Sequence, residues 1–300
     1  MRLPVSARGP LLYGLCTDTD TDITPEMAKE YDYHLISMPY SIGDKMTYPY
    51  VDFDKFDAHS FYEGLRGGIL PTTSALNPDE YVKYFEPFLA KGDDILYVHF
   101  SKRMSGTFNS LNLALKELNE KYPDRRVYLI DTKGITIGSL NIVLEIGELY
   151  KAGKSIEEIQ KWAEVEVDKF AIYFFADDLK FFARSGRVSG IAGFMGNIFG
   201  VKPIIYMGSD GVMTNIGKEK GRKNAVAKLV NYVVELGEDV KNHRIIVAHA
   251  DAPKIVEDII KLLKEKLGED LNIVVVDVNP TAGSHCGPDS VGISFHAIHR

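Results

Sequence analysis

The sequence predicts an α/β protein in two parts, a parallel-sheet α/β/α domain over 11–165 and an α+β domain with a mainly antiparallel sheet over 166–300. Three observations lead there. Up to about residue 165, short apolar runs alternate with runs of helical period, the pattern of strand–helix–strand units. Beyond that point Asp210-Gly211 between two apolar runs marks a hairpin, and further strands mix with helices. A length of 300 residues, 45% hydrophobic and 26% charged, suits two ordinary globular cores or one large α/β domain.

Composition excludes several function classes. A net charge of −7 leaves no basic excess for nucleic acid, and Lys102-Arg103 and 218–223 are only local basic spots. The 2 cysteines, Cys16 and Cys286, cannot supply a disulfide framework or a cysteine-based zinc site, so a reducing cytoplasm is expected. No run approaches the roughly 18 apolar residues of a membrane helix. Residues 1–10 have no apolar centre and read as a tail rather than a signal peptide.

Taken in order, a buried strand over 11–16 runs into the polar loop Thr17-Asp18-Thr19-Asp20-Thr21-Asp22, and Thr24-Pro25 opens a helix. Extended segments over 33–40 and 45–50 flank the turn signal Gly43-Asp44. A helix through Phe56, Phe61 and Leu65 stops at Gly67-Gly68, and Pro71-Thr72-Thr73-Ser74 reads as a hydroxyl-rich loop. Asn77-Pro78 starts another helix, which ends at Gly92. A strand over 95–100 leads through Ser101–Thr107 into a helix bearing Phe108, Leu111, Leu115 and Leu118. After a strand over 127–130 come Asp131-Thr132 and a helix over 136–152. Ser155 with Glu158 forms a capping-box signature for the next. In the second part, strands are expected over 170–176, 204–207, 212–216, 244–250, 272–278 and 291–297. Helices are expected over 179–184, 191–199, 223–236 and 253–267. The 218–223 stretch reads as a solvated turn and helix start, and 283–288 as a flexible loop presenting His285.

Ligands of open parallel sheets bind beyond the carboxyl ends of the strands. That edge collects Thr17-Asp18, Thr73-Ser74, Ser101–Thr107 and Asp131-Thr132. Hydroxyls beside the free N–H groups of a helix start suit an oxyanion, although Ser105 also serves as a plain helix cap. Two enzyme readings compete. Asp18-x-Asp20, Ser101 and Asp177-Asp178 resemble a haloacid-dehalogenase-type Mg-dependent phosphatase, but Asp22 stands where that pattern wants Thr or Val. A serine hydrolase needs Gly-x-Ser-x-Gly, whereas Arg103 and Thr107 flank Ser105. Glycines 193, 196 and 200 leave one face of the 191–199 helix bare, open to another backbone or a long thin ligand.

The order of these stretches resembles the DegV family of bacterial fatty-acid-binding proteins. Thr17–Asp22 resembles its Thr-Asp-Ser-Thr-x-Asp, and Thr73-Ser74-Ala75-Leu76-Asn77-Pro78 its Thr-Ser-Gln-Pro-Ser-Pro. Ser105-Gly106-Thr107-Phe108 matches its Ser-Gly-Thr-aromatic, and Asp131-Thr132 its Asp-Thr or Asp-Ser. Gly186–Ser189, Lys202-Pro203-Ile204, Asp210-Gly211, 220–223 and His285–Pro288 look like its later marks. The resemblance implies a DegV-like two-domain fold holding one long-chain fatty acid in a tunnel at the domain interface. It implies carboxylate contacts from Thr73, Ser74, Ser105 with Gly106, Arg187 and His285. Ile191, Phe194, Met195, Ile198 and Phe199 are expected to wall the acyl chain. It also implies a carrier with no catalytic residue, metal or cofactor of its own, which presents its ligand to a separate fatty acid kinase. Ala75-Leu76-Asn77, Lys102-Arg103 and Asp289-Ser290-Val291 depart from the family pattern.

Overall fold

A computed structural model describes residues 13–177, 179–191 and 200–300. The first part runs β1 (Tyr13–Asp18), α1 (Pro25–Tyr31), β2 (Tyr33–Ile36), β3 (Tyr40–Ile42), β4 (Lys45–Thr47), α2 (Ala58–Arg66), β5 (Thr72–Thr73) and α3 (Pro78–Leu89). It continues with β6 (Asp94–His99), α4 (Thr107–Lys121), β7 (Val127–Asp131), α5 (Ile137–Lys151) and α6 (Ile156–Glu166). Next come β8 (Phe170–Phe175), α7 (Leu179–Ser185), β9 (Val188–Ser189), β10 (Val201–Met207), β11 (Met213–Lys220) and α8 (Gly221–Leu236). The chain closes with β12 (Arg244–His249), α9 (Pro253–Leu267), β13 (Asn272–Asp277), α10 (Pro280–Cys286) and β14 (Val291–His296).

The first sheet is parallel throughout, in the order β2-β1-β6-β7. Helices on both faces leave every residue of β1 buried, which is why 13–18 reads as an unbroken run rather than an alternating one. The larger sheet, β13-β12-β14-β8-β10-β11-β9, is antiparallel at its four inner pairings and parallel only at its edges, β12 with β13 and β9 with β11. Capping boxes at Asn77/Glu80 and Ser155/Glu158 start α3 and α6 where the sequence expects them.

Helix α5 lies between the two sheets and is apolar on nearly every side. Its Gly138 permits the approach: a Cβ there would stand 2.0 Å from the Ile172 side chain of β8. One apolar core accordingly runs from Leu15 and Tyr97 through Leu140 to Ile172 and Ile246, while α8 and α9 cover a second core on the far face of the larger sheet.

Three expectations are corrected, and a fourth is not tested. Thr72 and Thr73 are not loop but strand, pairing with Ser41 and Tyr40 in a small antiparallel sheet β4-β3-β5. The hairpin strands run longer than 204–207 and 212–216, because 218–220 extends β11 with side chains alternately exposed and half-buried; only the helix start at Gly221 agrees. Residues 283–286 belong to α10, not to a flexible loop, because Asn279 caps that short helix with Pro280 in its first turn. The helix expected over 191–199 falls, beyond Ile191, on residues outside those described.

Candidate functional site

The carboxyl edge of the parallel sheet meets β8, α7 and α10 around one cavity, which encloses ≈ 940 Å³ of space including its open mouth. Phe100, Met104, Ile137, Ile172, Phe174 and Phe182 form much of its apolar wall. Thr73, Ser74, Ser105, Arg187 and His285 supply polar groups to the same cavity. A more open depression adjoins it and shares Met104, Ser105 and Arg187, adding Arg103, Gly106, Ser185 and Ser189. Ser105 and Arg187 therefore stand where the cavity meets that depression.

Each polar group is held by its own scaffold. Thr73 sits on β5, and its hydroxyl lies 2.9 Å from His285 Nε2. His285 rides on α10, which is pinned along its length. Asn279 donates from its backbone N–H and its Nδ2 to Asp22 Oδ1 (2.8 and 2.7 Å), and Thr281 donates to the Met38 carbonyl (2.8 Å). Tyr62 donates to the Val278 carbonyl just before the helix (2.8 Å). Burial, with Arg187 and Arg184 nearby, pushes the His285 pKa down to about 3, so the ring is neutral. Where Nε2 carries the proton, Thr73 accepts it and keeps its own hydrogen free for an anionic oxygen.

Ser105 is not the cap residue of α4; Gly106 is, with no side-chain bond. Ser105 Oγ still accepts the Thr107 N–H at 3.2 Å, which leaves its hydroxyl hydrogen to donate elsewhere. Thr107 in turn accepts from the Leu76 N–H (3.2 Å) and bonds the Tyr81 hydroxyl (2.9 Å), fixing the 72–77 segment against α3 and α4. Ser101 donates to the Gly211 carbonyl at 2.7 Å, tying this loop to the β10–β11 turn. Arg187 donates to the Ser185 carbonyl (2.8 Å) and has no carboxylate within ion-pair distance among the described residues. It brings a positive charge to the cavity wall.

The phosphatase reading finds no support in this geometry. Asp18 is buried and accepts from the Tyr97 hydroxyl, the Phe100 N–H and the Asp20 N–H. Burial outweighs those bonds and raises its pKa to about 7. Asp177 is clamped by Lys202 and Arg222 at 2.7 and 2.9 Å. The grouping with metal-ligand spacing among the described residues is His59, Glu63 and Asp251, and Arg66 already bridges its two carboxylates. That cluster is an ion-pair network.

Ile191 is buried in the core near Val188 and is not a wall residue; Phe194, Met195, Ile198 and Phe199 lie outside the described residues. Wall residues that sequence reasoning missed include Phe174 and Phe182, which read only as core, and Thr136, which has φ +49°. No helix among the described residues is long and apolar enough to cross a membrane.

Comparison with known proteins follows the whole chain. A family model described as "Uncharacterised protein, DegV family" matches residues 13–297. A DegV domain-containing protein of Clostridium perfringens is 32% identical over 279 residues, covering 93% of this chain and 95% of its own. A Bacillus subtilis structure described as DegV, a fatty acid binding protein, superposes with TM-score 0.78 at 26% identity, covering 96% of this chain and 100% of that one. A Ruminococcus gnavus DegV family structure with vaccenic acid gives TM-score 0.82 at 20% identity, with 95% and 100% covered. The cavity between parallel and antiparallel sheets, the ordered motifs and these matches agree: the chain belongs to the DegV family.

Proposed function

We propose that the protein binds one long-chain fatty acid, with the acyl chain along the apolar wall and the carboxylate held by Thr73, Ser74, Ser105, Gly106, Arg187 and His285. The observation that carries the reading is one cavity with apolar walls and a cluster of donors at its mouth. A carboxylate leaving water needs several donors, and here hydroxyls and one guanidinium supply them. Each buried methylene contributes ~0.8 kcal/mol, so a chain of about fourteen contributes on the order of 10 kcal/mol before ordering costs. In this reading 11–165 and 166–300 act as two domains with the tunnel between them, and no catalytic residue or cofactor is needed. The exposed mouth beside Arg103 is where a separate kinase would reach the carboxylate to form an acyl phosphate. Two free thiols, Cys16 and Cys286, fit a reducing cytoplasm.

Native mass spectrometry of the purified protein should show a co-purified long-chain acid. A protein that stays empty yet hydrolyses phosphomonoesters only with Mg²⁺ would overturn the carrier reading. Ser105→Ala should weaken fatty-acid retention by roughly 1–3 kcal/mol, because a carboxylate oxygen loses its donor. Unchanged retention would show that Ser105 serves only the Thr107 N–H.

A further inference from the structure

The cavity wall holds one polar group that the head-group set leaves out. Asp20 is 7% exposed, and its Oδ1 is buried without a hydrogen-bond partner. Its backbone carbonyl accepts the Thr136 N–H at 2.8 Å, but its carboxyl group makes no hydrogen bond or ion pair among the described residues. Arg187 lines the same cavity and attracts it, yet the two are too far apart to pair. A buried, unpartnered carboxyl opposite an unpaired guanidinium leaves a gap that a third group can bridge.

We propose that Asp20 is a specificity-determining contact of the ligand site: its carboxyl group donates a proton's hydrogen bond to the carboxylate of the bound fatty acid, whose other oxygen faces Arg187. The inference rests on the fatty-acid reading above. An ionised Asp20 would repel an anionic ligand; a neutral one is a donor at the right place. Its surroundings favour the neutral form. Burial is the first cause that raises its pKa well above the usual carboxylate range, Asp18 and Asp22 of the same loop add to it, and Arg187 opposes them. The other titratable groups near it are Tyr81 of α3, Tyr97 of β6, and His285 and Cys286 of α10. The start of α5, packed on the same loop, contributes only Thr136 and Ile137. A neutral fatty alcohol needs no such donor, so Asp20 favours an acid over its alcohol while it holds the proton.

Oleate affinity of the unaltered protein, Asp20→Asn and Asp20→Ala, measured from about pH 6 to pH 10, tests this. Asparagine keeps a donor and cannot ionise, so at pH 6 it should bind within about threefold of wild type, while alanine binds about tenfold weaker. Once Asp20 loses its proton, wild type should lose about tenfold per pH unit relative to Asp20→Asn. Asp18 and Asp22 titrate in both proteins, so the ratio of the two affinities isolates Asp20. In the unaltered protein oleyl alcohol should lose no affinity over the same range, a readout that needs no variant to fold. A ratio constant with pH, an Asp20→Asn that binds more than about threefold tighter than wild type at pH 6, or an alcohol profile parallel to that of oleate overturns the role of Asp20 alone. Oleate that fails to bind the unaltered protein at pH 6 overturns the fatty-acid reading and this inference with it.

Discussion

Replacing Asp22 with asparagine should stabilise the fold at pH 8 by about 1–3 kcal/mol, and toward pH 4 the gain should turn into a loss of similar size. Asp22 is buried, its Oδ1 accepts both bonds from Asn279, and its Oδ2 is buried with no partner. Burial raises its pKa from 3.8 to about 7 against the pull of those two bonds. Between these values the folded state holds a proton that the unfolded chain has lost. Stability from this group is therefore full below the unfolded value and declines until the pH passes the folded one. A shift of that size corresponds to on the order of 4 kcal/mol. The asparagine carbonyl keeps both bonds from Asn279, and its NH₂ lacks an acceptor, which gives back about 1–3 kcal/mol at every pH. Denaturant midpoints of both proteins at pH 4, 6 and 8 provide the check. A difference between them that does not grow with pH would refute the account.

Gly287→Ala should cost roughly 2–5 kcal/mol, from a left-handed backbone and an overfilled contact together. Gly287 ends α10 at φ +72°, donating its N–H to the Gly283 carbonyl at 2.9 Å. A Cβ there would stand 2.2 Å from Cδ2 and 2.7 Å from Cγ of Phe181, ring atoms that cannot swing clear as a flexible tail can. The damage should reach the site, because Phe182 lines the cavity and His285 lies on the same short helix. Thermal unfolding with and without added oleate measures both effects. A variant of wild-type stability would show that Phe181 has room to move.

Local signals made most of the fold legible before any coordinates. Asn77 with Glu80, Ser155 with Glu158 and the Asp210-Gly211 turn each act within four residues, and each marks what it predicts. Contacts that join distant segments left no such trace. Asp22 meets Asn279 across 257 residues, and contacts of that range pin α10, whose local cap at Asn279 with Pro280 could have been read. Thr73 read as loop because its strand partner, Tyr40, is itself in a strand of three residues. The polar part of the cavity was legible through the order of family motifs, whereas Phe174 and Phe182 look like any core aromatic. Asp20 was visible only as a carboxylate of the Asp18-x-Asp20 pattern, since burial without a partner is a property of the fold and not of the residue type.

The strand order of the larger sheet sets when the protein can finish folding. The parallel sheet has all four of its strands once residue 131 has been made. The other sheet must wait, because β14, made last of its seven strands, sits between β12 and β8. Until it inserts, β13-β12 and the β8-β10-β11-β9 ribbon each present an open edge that no intervening strand satisfies. Pairing of such sequence distance is slow to form. The ligand cavity, walled by Val291 and Gly292 of that strand, is thus completed only in the closing step of assembly, and a nascent chain stalled before it is a carrier without a container.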